Sequence, residues 1–149
     1  FTAGQVLTAT DLNDIATWTT YTPSFSSGVT VGNGTWDAAY NIVNKILFFQ
    51  GKFTLGSTSA ITGSVGLTIP DSRTISDNTE ILGNCRLFSG SGSPNVFYGA
   101  VQENSSTSVS LVVYNSSTTY LSGSNLSATI PATWITANTL AISYCARII

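Results

Sequence analysis

The carboxyl groups open to acid and base work in this 149-residue chain are Asp11, Asp14, Asp37, Asp71, Asp77, Glu80 and Glu103. Hydrolysis of a glycoside needs two such groups held about 5–10 Å apart on either side of the scissile bond. Only the stretch from residue 71 to 80 groups them, and they read as solvated turn acids. The chain has no histidine, so a serine or cysteine nucleophile would lack its usual base, and no Gly-x-Ser-x-Gly elbow is present. Cys85 and Cys145 are too few and too far apart for a zinc cluster, and read as small strand residues rather than a disulfide. These residues imply no catalytic group, no metal and no cofactor. The activity to expect is binding.

Binding chemistry has its own candidates. Tyr98, Tyr114 and Tyr120 each offer a flat face and a hydroxyl, and the last two flank a polar loop. They suit a ligand surface, or else a contact between chains or within the sheet. Trp134 fits core and surface equally well, whereas Trp18 and Trp36 read as core. Asp71, Arg73 and Asp77 supply polar groups in a loop that carries four of the twelve charges. Gly32-Asn33-Gly34 and the Ser/Gly run from 89 to 93 open no helix bearing a lysine, so they read as turns rather than phosphate loops.

Charged residues make up 8% of the chain, against about 25% in ordinary domains, and Ser, Thr, Asn and Gly fill the polar positions. With a mean hydropathy of +0.23, a free monomer would have few ionic groups to prevent association, and burial against sister chains is the simplest remedy. A net charge of −2 with five scattered cations gives no basic stripe for a phosphate backbone. No apolar run approaches the roughly 18 residues of a membrane helix, so no membrane insertion is expected. Residues 1 to 20 lack a signal-peptide pattern, and a chain without Met that opens at Phe1 is expected to be the distal part of a longer polypeptide or a trimmed product.

The elements that must position these groups change character near residue 19. Thr8 can cap a short helix over 9–16, with Asp11 in the capping-box position and Leu7 and Leu12 as a hydrophobic staple. Beyond it the period is two. An extended segment over 19–25 carries Pro23, as an edge would. Trp36, Ala38, Tyr40 and Ile42 share one face of a strand over 35–43, and Leu47, Phe49, Phe53 and Leu55 share one face over 46–55, with Asn44 and Lys45 as a two-residue hairpin turn. Further strands are expected at 64–69, 81–88, 96–103, 109–114 and 139–148, with loops over 70–80 and 115–127. Seven or eight such strands predict an all-β fold: an antiparallel β-sandwich of jelly-roll type over 19–149, preceded by a connector with a short helix over 1–18.

The stretch Thr2-Ala3-Gly4-Gln5-Val6-Leu7-Thr8-Ala9, followed by Asp11-Leu12-Asn13, resembles a connector that precedes C-terminal β domains in structural proteins of tailed bacteriophages. The likeness continues through Trp18, Tyr21-Thr22-Pro23, Gly32-Asn33-Gly34-Thr35, Tyr40, Lys45 and Leu67-Thr68-Ile69-Pro70. Ile130-Pro131, Trp134 and Asn138 before Leu140, Ile142 and Tyr144 are similar to the closing part of fibre-tip domains. Thr10 stands where similar chains have alanine, and Asn44 where glycine is commoner. The resemblance implies a virion protein of the tail or fibre, a homotrimer that contacts other virion proteins and meets host-surface saccharide or protein with its loops or clefts. Two other readings stand beside it: a purely structural virion component, or the carbohydrate-binding appendage of a tailspike enzyme whose catalytic part lies upstream.

Overall fold

Interleaved apolar and hydroxyl residues make strands of most of this chain. The computed structural model describes residues 17–76, 81–89, 95–115 and 121–149. These hold strands β1 (Thr19–Thr20), β2 (Phe25–Thr30), β3 (Thr35–Val43), β4 (Ile46–Thr54), β5 (Ala60–Thr68), β6 (Ile81–Ser89), β7 (Asn95–Ser105), β8 (Ser108–Asn115), β9 (Ser122–Asn125) and β10 (Thr139–Arg147), with a 3-10 turn at Pro70–Ser72. All pairings are antiparallel, in the order β1-β3-β4-β10-β6-β7-β8-β5-β2, with β9 on a free part of β8. The all-β class and the β3–β4 hairpin agree with the alternation. Asn44 and Lys45 both take positive φ, 48° and 66°, as the twist of a two-residue hairpin demands. The helix expected over 9–16 lies outside the described residues.

Two strands went unanticipated. In β2, Phe-Ser-Ser-Gly-Val-Thr has no clean alternation, and its pairing with β5 is interrupted by register shifts around Gly28. In β9, Ser-Gly-Ser-Asn has no apolar residue at all, so the expected loop over 115–127 contains a strand that composition hides. It is recruited by the unpaired half of β8: Ser108 to Ser110 pair with β5, Val112 to Asn115 with β9. Leu126 fills the fork between them. Its N–H donates to the Leu111 carbonyl at 2.9 Å, its carbonyl accepts from Val65 at 3.1 Å, and its side chain is fully buried.

The strand order forces the sheet to curl. β2 ends one side of it and β3 lies next to the other, yet they are joined by residues 31–34, closed by a Gly34 N–H to Val31 carbonyl bond of 2.9 Å. Phe25 of β2 therefore meets Trp36 of β3 and Phe53 of β4 across the interior, with ring centroids 5.2 and 5.1 Å apart. The interior is filled by Leu47, Phe49 and Phe53 of β4, Leu140, Ile142 and Tyr144 of β10, Leu87 of β6, Val101 of β7, Leu111 of β8 and Leu67 of β5. Each such side chain contributes about 1.5–3 kcal/mol by leaving water.

Asn33 stitches the two connections that cross between the ends of the sheet. Its Oδ1 accepts from the N–H and hydroxyl of Thr58, both at 2.9 Å, and its Nδ2 donates to the Ser57 hydroxyl at 3.1 Å. The Asn33 N–H donates to Thr58 Oγ1 at 2.9 Å. Gly56 is needed beside it, because a Cβ there would lie 2.1 Å from Asn33 Oδ1. Asn33→Ala is expected to lower stability in urea unfolding by about 1–2 kcal/mol with an unchanged m-value. An unaltered midpoint would show that the stitch contributes nothing to closure.

Candidate functional site

Side chains on β10 alternate between the interior and the outer face. Leu140, Ile142, Tyr144 and Ala146 are buried, and Thr139, Ala141, Ser143, Cys145 and Arg147 point outward. The strand is flanked along its length by β4 and over Thr139 to Tyr144 by β6. Its short outward residues are bordered by longer ones: Lys52 and Arg86 stand in register with Ala141, and Gln50 and Asn84 with Ser143. Beyond β4, Asp37 pairs with Lys52 and Ala39 with Gln50. Small residues between two walls of long ones make a trough.

The trough has a volume of about 550 Å³, within the roughly 300–1,000 Å³ of small-ligand sites. Its lining includes one acid, two cations, two amides and the Ser143 hydroxyl over the short side chains of Ala39 and Ala141, with Trp18 also on it. The indole is 45% exposed, which corrects the expectation that Trp18 belongs to the core. Trp36 does pack against the core. Such a surface can offer planar amide and guanidinium groups to neighbouring hydroxyls and an aromatic face to a ring.

No family model, curated protein or solved structure matches this chain.

The structure separates the candidates that the sequence suggested. Tyr98 lies on the outer face beside Arg86, its register partner, and is 64% exposed. Tyr114 is exposed near the end of β8, where it lines a second pocket of about 230 Å³ with Phe97, Ser124, Thr129 and Pro131. Trp134 is half-buried against the core, and its Nε1–H donates to the Ser127 carbonyl at 2.8 Å. Asp71 and Arg73 pair with each other at 3.0 Å on an exposed turn and do not line the trough. Tyr120 and Asp77 lie outside the described residues.

Sequence reasoning missed Asp37, Gln50, Lys52, Asn84, Arg86 and Ser143. Each occupies the polar half of an alternating strand, where a solvent-facing residue is ordinary. A faint signal was available: in a chain with twelve charges, Asp37, Lys52 and Arg86 are charged residues in strand interiors rather than in turns. Their juxtaposition depends on β10 entering between β4 and β6, which spacing along the chain does not reveal.

The two cysteines sit on opposite faces of the sheet. Cys145 is an exposed free thiol at the trough's extension along β10, and Cys85 is a buried free thiol whose Sγ lies 3.7 Å from the Ala100 carbonyl. Burial pushes the Cys85 thiol from 9.0 up to about 12. The folded protein thus retains a proton that the unfolded chain releases, so stability falls as pH rises from about 9 toward 12. Burial also raises Tyr144 and Tyr21, which join above 10. At pH 8 a disulfide reagent is expected to titrate one thiol per folded chain and two after unfolding. Between pH 9 and 10 the loss of stability should be smaller in Cys85→Ala than in the parent. Two fast-reacting thiols in the folded chain would contradict the burial of Cys85.

Proposed function

We propose that this chain is a non-enzymatic binding module, the distal domain of a tailed-phage tail or fibre protein, which attaches to saccharide on the host cell surface through the trough over β10. The observation that carries the reading is the lining itself: donors and acceptors of several kinds along a groove with a small-residue floor and an aromatic side chain. A hydroxyl-rich ring can be hydrogen-bonded edge-on by Asp37, Gln50 and Asn84 while Trp18 packs on its face. The resemblance of residues 2–13 and of the Tyr21 to Thr35 and Leu67 to Pro70 motifs to phage structural proteins supports the setting, a virion exposed to the host.

The finer architecture belongs to the same proposal: a jelly-roll sandwich led by a connector helix and assembled as a homotrimer, alongside other tail proteins. The non-sequential strand order, with β10 between β4 and β6 and β5 beside β8, supports Greek-key connections. Ile81, Leu121 and Ile149 are large apolar residues left more than half exposed in the single chain, which supports burial between copies.

Two measurements test this reading. Light scattering on the purified chain is expected to give about three times the 15.6 kDa mass of one copy, and a monomer would sink the trimer. On an array of bacterial envelope saccharides, Ala141→Trp, which fills the trough from a strand position that suits tryptophan, should weaken binding by about tenfold or more. Ser124→Trp in the second pocket should leave it unchanged. The reverse pattern would move the site to the pocket beside Tyr114.

A further inference from the structure

One row of the outer face runs Asp37, Lys52, Ala141, Arg86, Tyr98 across β3, β4, β10, β6 and β7. Neighbouring strands lie about 4.8 Å apart, so the backbones of Lys52 and Arg86 are separated by about 10 Å with only a methyl group between them. Two long cationic side chains on either side of so small a residue can converge on one anion above it. Among the described residues the ion pair is Arg73 with Asp71, and neither Lys52 nor Arg86 has an acid within ion-pairing distance, even though Asp37 is in register with Lys52. The row carries a net positive charge in a chain whose net charge is −2.

From this juxtaposition we infer that the trough selects acidic saccharides and holds the carboxylate of a uronic acid between Lys52 and Arg86, above Ala141. The inference rests on the saccharide reading of the trough and adds the class of sugar. A planar guanidinium donates two parallel N–H bonds to the oxygens of a carboxylate, and the ammonium of Lys52 supplies a point charge from the opposite wall. Tyr98, next to Arg86 and largely exposed, and Trp18, on the β3 side, flank the cationic centre and can pack against the preceding and following rings. The ligand would then cross the strands rather than run along them.

Calorimetric titration of the 149-residue chain with a panel of uronate-containing disaccharides, each paired with its carboxyl-reduced neutral counterpart, tests the inference. The acidic member of the best-binding pair is expected to bind about tenfold tighter. That preference should fall to within about twofold in Arg86→Gln and in Lys52→Gln, and at high salt, while Arg73→Gln keeps it. Equal affinity for both members of a pair, with binding still abolished by Ala141→Trp, would overturn the carboxylate site and leave the saccharide reading standing. Absence of binding to every pair would overturn both.

Discussion

Entry of the last strand between β4 and β6 is the constraint on which the rest of this structure depends. β10 supplies Leu140, Ile142 and Tyr144 to the interior and joins two hairpin systems that are distant in sequence. Without it, β4 and β6 would each present an unpaired edge, and the sheet would divide in two. The same strand supplies the short outward residues of the trough. Burial of its inner face and the shape of its outer face are set together, because the side-chain period of two ties them to one register. A slip of one residue would bring Leu140 and Ile142 to the surface and remove the floor between Lys52 and Arg86.

Closure of the sheet is a second, weaker constraint that acts through polar groups. Asn33 holds the connection between β2 and β3 against the one between β4 and β5, and the aromatic cluster of Phe25, Trp36 and Phe53 packs near it. Tyr21, Phe49 and Tyr144 form another aromatic group, with Phe49 and Tyr144 stacked at 5.0 Å. An interior of this kind suits a protein whose polar surface is made of hydroxyls and amides. With so few charges outside, the stability of the fold rests on burial and backbone pairing, and a cationic pair on the outer face stands out against a nearly uncharged background.

Much of the fold was legible in the sequence where apolar residues alternate without interruption. β3, β4, β6, β7, β8 and β10 and the Asn44-Lys45 turn could be placed to within a few residues because one face of each is buried. β2 and β9 could not, since Gly28 bends the first and the second has only polar and glycine residues. The site was legible in part. Tyr98 and Tyr114 suit either a ligand surface or a contact between chains or within the sheet; both are exposed in the single chain, Tyr98 beside Arg86 and Tyr114 at the second pocket. Trp18 reads as core from its residue type alone, whereas it is exposed and lines the trough. Lys52 and Arg86, 34 positions apart, become neighbours only through the strand that arrives last.

The most direct test of the account is to map saccharide binding residue by residue by chemical-shift changes in 15N-labelled protein. Shifts centred on Gln50, Lys52, Asn84, Arg86, Ala141 and Ser143, with the side-chain signals of Gln50, Asn84 and Trp18 moving too, are the predicted result. Shifts confined to Tyr114, Asn115 and residues 124–131 would contradict it and place binding in the second pocket.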